Sequence, residues 1–256
     1  MSSSKWYRDP IDHVRDRPET YVGALESIEY SKLVPCMCDN KIELIEVNEN
    51  VSPVLLKMVD EIMVNAIDNQ QRGDTQKEIR LSVFEDGWIE VLNDGAPIST
   101  HKFEDTEYYT PEVYFSKLLS GTNFNDNEER HTGGRNGIGA KAAFIFSSEA
   151  SIEIYNSEEK KQYKQEFSNN LKYVGTPILK HYSKKKNMTK IRFKPDYNML
   201  TMSSGSLSNG LIFLLGSRAI DACACTRPKI SVFLNEIKIP IKNMQEYAKA
   251  ISVVNI

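Results

Sequence analysis

From Pro53 to Gln71 the chain carries a helix that is apolar over a broad arc and polar along one narrow stripe. Leu55, Leu56, Val59, Ile62, Met63, Ala66 and Ile67 form the apolar side, with Pro53 placed in the first turn. At about 100° per residue, Glu61, Asn65 and Asp68 fall within an arc of roughly 60° beside it. Polar groups flush against a buried face are costly unless something binds them. A carboxamide oxygen and carboxylates at this spacing suit a hard cation, a water and a polar ligand. A solvated helix face is the other reading, and the helix alone does not separate the two.

The remaining elements are short. Ile11–Arg15 reads as a brief helix after a polar and aromatic start. Ile79, Leu81 and Val83 alternate, as do Ile89 and Val91, with Glu85-Asp86-Gly87 between them, so a hairpin is expected. Residues 111–119 read as a helix with Thr110 as its cap and Pro111 at its first position. Ala140–Phe146 is helical and apolar; Ile152–Tyr155, Tyr163–Phe167 and Lys190–Phe193 read as antiparallel strands. Thr201–Gly210 reads as a loop and Leu211–Ala224 as a helix. Ile230–Leu234 and Ile237–Ile239 form a second hairpin, and Gln245–Ile251 a last helix. Isolated helices between antiparallel hairpins indicate an α+β fold, without the β-α-β rhythm of a parallel sheet.

The chain of 256 residues has a net charge of −3, which argues against a surface that coats nucleic acid throughout. No leader peptide is expected from the polar opening, and the apolar run Leu211–Leu215 is too short to span a bilayer. Cys36/Cys38 and Cys223/Cys225 form two C-x-C pairs. Zinc sites favour C-x₂-C, so reduced thiols are the expectation. The four histidines have no ligand spacing.

Residues 120–137 are rich in Gly, Asn and charge but poor in large apolar groups, so the expectation is that they are either disordered or ordered by a ligand. The segment ends in His131-Thr132-Gly133-Gly134-Arg135-Asn136-Gly137-Ile138-Gly139-Ala140-Lys141. Its four glycines free backbone N–H groups to cradle phosphate oxygens, and the following helix start favours the same anion. Two standard phosphate loops fail here. Gly134 and Gly139 have Walker A spacing, but Ala140 precedes Lys141 and no Ser or Thr follows. Gly137, Gly139 and Ala142 match a dinucleotide fingerprint, but polar sequence stands where a buried strand must precede it. A plain flexible glycine loop is the remaining alternative. Leu92-Asn93-Asp94-Gly95-Ala96-Pro97-Ile98 closes a strand and can present Asn93 or Asp94 to a base edge.

In order along the chain, these segments resemble the ATPase domain of type IIA DNA topoisomerases, within the GHKL superfamily. The resemblance is carried by Asp9–His13 with Arg17–Gly23, by Asp60–Asn69 as the N-box, by Leu118–Phe124 and by Val232–Pro240. Thr132–Lys141, which resembles the ATP lid, is its most specific part. The likeness is closer to eukaryotic and large-DNA-virus topoisomerase II than to gyrase. It implies a GHKL (Bergerat) fold: a mostly antiparallel mixed sheet, helices on one face and a long lid. It implies an N-terminal arm over 1–23 and an ATPase domain over 24–256 that stops before the transducer domain.

The resemblance also implies roles. Glu61 orients and deprotonates the attacking water, and Asn65 ligates Mg²⁺. Asn69 lies near the phosphates, Asn93 and Thr189 face adenine, and Thr122 and Asn123 contact phosphate or ribose. Arg135, Asn136, Gly137, Gly139 and Lys141 wrap the phosphates. The implied ligands are ATP and Mg²⁺, and the implied partner is a second copy, gated by ATP, with Trp6 and Tyr7 as candidates for the crossing arm. DNA is the implied substrate of the full enzyme, and its setting is intracellular: the nucleus, or a viral factory or virion. Slow hydrolysis is expected of this chain alone. A GHKL nucleotide switch with little hydrolysis is the alternative. Pro97 stands where the family has a second glycine and alters the adenine loop, since proline fixes φ and has no N–H. Finally, Lys184, Lys185, Lys186, Lys190, Arg192 and Lys194 place six basic residues in eleven. A solvated hairpin explains that run, and contact with DNA phosphates is the other chemistry it permits.

Overall fold

The computed structural model of the protein describes residues 9–118, 139–203 and 207–252. The expected amphipathic helix forms as α2, Pro53–Asp68, and continues into a 3₁₀ turn over Asn69–Arg72. Its buried positions, Val54, Leu55, Met58, Val59, Ile62, Met63 and Ala66, are the apolar arc the periodicity requires. Five other helices are α1 (Pro10–Asp16), α3 (Thr110–Ser116), α4 (Gly139–Ile145), α5 (Asn209–Cys225) and α6 (Met244–Ser252). Thr110 does not cap α3. Tyr109 occupies the N-cap position without a side-chain bond, and the Thr110 hydroxyl instead donates to the His101 carbonyl at 3.1 Å. At α5 the loop residue Ser208 is the cap, accepting from Leu211 N at 3.0 Å.

The strands are β1 (Ile28–Cys38), β2 (Lys41–Val51), β3 (Glu78–Val83), β4 (Ile89–Asn93), β5 (Ser147–Asn156), β6 (Lys161–Ser168), β7 (Tyr173–Val174), β8 (Ile178–His181), β9 (Met188–Pro195), β10 (Ser231–Leu234) and β11 (Ile237–Lys238). One sheet runs β11-β10-β3-β4-β9-β5-β6-β7, with β8 also paired to β6. Only the β10–β3 pairing is parallel among the described residues, so the sheet is mixed and mostly antiparallel. Ile79, Leu81, Ile89, Val91, Ile152, Ile154, Phe193 and Val232 point into the core under α2, α4 and α5. The opposite face is polar: Arg80 pairs with Glu78 at 2.9 Å and Lys190 with Glu153 at 3.1 Å.

The long β1–β2 hairpin was not expected from the sequence. It turns on Asp39 and Asn40, both left-handed at φ 47° and 62°, a conformation these residues tolerate better than most. It packs on α5 and β2 on α6, burying Val34, Cys36, Val47 and Val51. Residues 9–23 pack as well, since Val14 and Val22 join the main core. All four cysteines are free thiols; burial pushes the Cys36 and Cys223 thiols up to about 12. No described helix is long and apolar enough to cross a membrane.

Candidate functional site

Glu61, on the polar stripe of α2, lies against the start of α4. Glu61 is half-buried and forms an ion pair with Lys57, one turn earlier on the same helix. Its carboxylate lies so close to the Gly139 backbone that a Cβ there would come within 1.8 Å of Oε2 and 2.6 Å of Cδ. Glycine at that position is therefore a steric requirement of the carboxylate's placement. Two residues on, Lys141 is 1% exposed, and burial holds its pKa down at about 8. One helical turn beyond Glu61, Asn65 is exposed, and its carboxamide makes no hydrogen bond to a described residue. No group of three or more His, Cys, Asp or Glu among the described residues is arranged to hold a metal ion. The exposed carboxamide oxygen of Asn65 is a donor of the kind that hard cations accept.

A second polar group gathers at the ends of the central strands. Asn93 closes β4 on the same face as Ile89 and Val91 and is 7% exposed. Thr189, also 7% exposed, lies directly opposite it on β9. Two buried hydrogen-bonding side chains thus terminate a row of apolar ones beneath α2. That is a floor suited to a flat, polar-edged ring.

The loop after Asn93 is held from three sides. Asp94 Oδ1 accepts from both Lys77 N and Glu78 N at 2.7 Å. Asn69 clasps Ala96, donating from Nδ2 to its carbonyl at 2.8 Å and accepting from its N–H at 3.0 Å. Gln76, 1% exposed, donates to the Ala66 carbonyl at 2.8 Å and packs under Gly95. Gly95 sits at φ +129°, and a Cβ there would come within 2.3 Å of Asn69 Oδ1. Asn69, expected beside the phosphates, has both ends of its carboxamide committed to this loop. These two bonds brace the loop that follows Asn93. Pro97 follows the clasp, where no N–H is needed for it.

Glu61 meets Gly139 between α2 and α4, with Asn65 one turn along α2 and Lys141 two residues along α4, and Asn93 lies opposite Thr189 on the strand ends. Thr122, Asn123, Arg135, Asn136 and Gly137 lie outside the described residues, as do Trp6 and Tyr7. The sequence reading missed Lys57 and Gln76, and it offered Asp94 for a base edge without its hold on the Lys77 and Glu78 amides. Lys57 was legible from its four-residue spacing to Glu61. The bonds of Asp94 and Gln76 were not, because their partners are backbone groups brought close only by the fold.

Comparison with protein-family profiles returns no match. The chain is 34% identical to DNA topoisomerase 2 of Arabidopsis thaliana over 241 residues, 94% of this chain and 16% of that protein. It is 36% identical to DNA topoisomerase 2 of Saccharomyces cerevisiae over 259 residues, 97% of this chain and 17% of the relative. The chain therefore spans about a sixth of the curated relatives it matches. Its fold superposes on the crystal structure of the ATPase region of Saccharomyces cerevisiae topoisomerase II with a TM-score of 0.86 and 33% identity, covering 97% of this chain and 65% of that one. The ATPase and transducer domains of DNA topoisomerase II from Balamuthia mandrillaris give a TM-score of 0.85 and 31% identity, with 98% of this chain and 64% of that one covered.

Proposed function

This chain belongs to the family of the DNA topoisomerase II ATPase region, and on that premise we propose that it binds and hydrolyses ATP as a gate module. Closure would pair two copies, and in the longer relatives such closure would accompany passage of one DNA duplex through another inside the cell, in the nucleus or a viral factory. One juxtaposition carries the reading: a carboxylate seated on a glycine at the start of α4, with a buried lysine two residues further on. A helix start beside Glu61 and a buried lysine of lowered pKa are groups that a phosphate anion can use.

In this mechanism Asn93 and Thr189 hold the adenine edge, and Asp94, Asn69 and Gln76 keep their loop in register. Asn65 offers its carboxamide oxygen to Mg²⁺. Mg²⁺, when bound, neutralises phosphate charge. Lys141 pairs with the phosphates, and Thr122, Asn123, Arg135, Asn136, Gly137 and Gly139 complete their enclosure. Glu61 orients a water toward the γ-phosphorus and accepts its proton as the bond to the leaving ADP oxygen breaks. The contribution is positioning, so the carboxylate needs no unusual basicity.

A second reading is supported by the Lys57–Glu61 ion pair: with its carboxylate held by a lysine, the fold serves as a nucleotide switch with little turnover. Glu61→Gln separates the two. Calorimetry with a non-hydrolysable ATP analogue and Mg²⁺ should show binding retained, while a coupled assay loses the turnover of the parent protein. Equal, negligible turnover in both proteins gives the switch reading, and no binding by either refutes both. Size-exclusion chromatography with the same analogue tests pairing, and an elution unchanged from the nucleotide-free protein refutes it. Turnover equal to that of a longer protein that includes the transducer would refute slow hydrolysis by this chain.

A further inference from the structure

Arg218 stands on α5, and two carboxylates from two helices share it. Its Nε lies 3.1 Å from Asp60 Oδ1 on α2, an ion pair rather than an aligned hydrogen bond. Its Nη1 donates to Asp221 Oδ2, one turn along α5, at 3.4 Å. Arginine keeps its charge at any pH a protein survives, so this cation between two acids is permanent. Tyr247, on α6, donates from its hydroxyl to Asp221 Oδ1 at 2.7 Å. That bond offsets part of the Asp221 charge and leaves the arginine free to serve Asp60. A line of polar groups thus runs from α6 through α5 to α2.

The line ends one residue short of Glu61. Lys57 is three residues from Asp60 and four from Glu61, the two spacings at which side chains of one helix meet. It pairs with Glu61. Its charge also acts on Asp60: burial pushes that carboxyl up, while Arg218 and then Lys57 pull it down. Asp60 therefore lies between an arginine that holds it and a lysine held by its neighbour. With Arg218 in place Asp60 is compensated, and Lys57 stays on Glu61. Without Arg218, a half-buried carboxylate loses its counter-charge, and a rotation of the Lys57 side chain replaces it. A lysine on Glu61 occupies one carboxylate oxygen and favours the charged form, which makes the group a weaker acceptor for the proton of a water.

We propose that Arg218 is a positioning residue for Glu61: by engaging Asp60 it keeps Lys57 on the Glu61 carboxylate and so restrains turnover. The inference rests on the reading of Glu61 as the base of an ATPase. Turnover is released when Lys57 crosses from Glu61 to Asp60.

The test compares kcat, and calorimetric affinity for a non-hydrolysable ATP analogue with Mg²⁺, in the whole chain and its variants, with circular dichroism to check folding. Arg218→Gln should raise kcat by about two- to fivefold, the span of one half-exposed ion pair, with affinity within about twofold of the parent. A residue that only supports the fold would give a loss. Lys57→Met should gain at least as much, and Lys57→Met/Arg218→Gln should gain no more than Lys57→Met. Asp60→Asn/Arg218→Gln leaves Lys57 no carboxylate to cross to and should abolish the gain, and Arg218→Lys, which keeps the charge, should reduce it. A crystal structure of Arg218→Gln should place Lys57 Nζ within about 4 Å of an Asp60 oxygen. An unchanged or lowered kcat in Arg218→Gln overturns the proposal, as does a gain that survives in Asp60→Asn/Arg218→Gln. Lys57→Met alters an exposed position and decides the matter if Arg218→Gln does not fold: no gain there also overturns the proposal. Turnover absent from the parent and from Lys57→Met alike overturns the ATPase reading itself. The exchange of ion pairs is judged apart from turnover by the crystal structure, and Lys57 remaining on Glu61 there overturns it.

Discussion

Replacing Gly139 by alanine should separate folding from catalysis. The new Cβ would stand 1.8 Å from Glu61 Oε2, whereas an ordinary C···O contact is about 3.3 Å. The carboxylate must therefore retreat by about 1.5 Å. That movement is easy for the fold, because the clashing atom is the far end of a flexible side chain. The Lys57 partner is 45% exposed, so losing the pair costs little. Alanine also favours helix over glycine by about 0.5–1 kcal/mol, so the urea midpoint should hardly move. Catalysis is less tolerant, since a misplacement of about 1 Å can cost about 10²-fold. We expect kcat to fall by about 10²-fold, or about 2.7 kcal/mol in the barrier, while calorimetric ATP affinity stays within about threefold of the parent. The double variant Gly139→Ala/Glu61→Gln checks the route. If the methyl group acts through Glu61, the double variant is no slower than Glu61→Gln alone. A kcat for Gly139→Ala within about threefold of the parent, or losses that multiply in the double variant, would refute the reasoning.

Lys141 supplies a pH-dependent prediction. Burial lowers its pKa to about 8, so the unliganded ammonium is largely charged at pH 7 and largely neutral at pH 9. A phosphate placed beside it raises that pKa, so binding should take up a proton near pH 8.5 and almost none at pH 6.5. Calorimetry in buffers of different ionisation enthalpy reads the uptake directly, and its persistence in Lys141→Met would exclude this lysine. In stability terms the lowered pKa disfavours the folded state below about pH 8, and this penalty diminishes as pH rises toward the unfolded value of 10.5. Asp94→Ala leaves the Lys77 and Glu78 amides without their shared acceptor. It should cost about 2–3 kcal/mol in urea unfolding and weaken ATP binding through Asn93, and a loss below about 0.5 kcal/mol would show that the loop stands without it.

The elements that periodicity describes were readable before the fold was known. The apolar arc of α2, the β3–β4 and β10–β11 hairpins and the strands around Ile152, Tyr163 and Ile191 follow from side chains a few positions apart. The β1–β2 hairpin escaped notice because its buried residues are sparse, and its inner face is completed by α5, which a linear pattern does not reveal. Thr110 likewise has the composition of a cap, but a carbonyl from His101 competes for its hydroxyl.

By itself the sequence determined the α+β class, the polar stripe of Glu61 and Asn65, and the strand end that carries Asn93. These depend on spacing within one element, and spacing survives in a linear string. Only the tertiary structure decided that Glu61 rests on Gly139, that Asn69 clasps Ala96, and that Lys184 and Lys185 share a groove with Lys160 while Lys186 does not. Each of those outcomes is a competition for a partner distant in the chain. The winner is set by packing geometry at ångström scale, which residue identity alone does not encode.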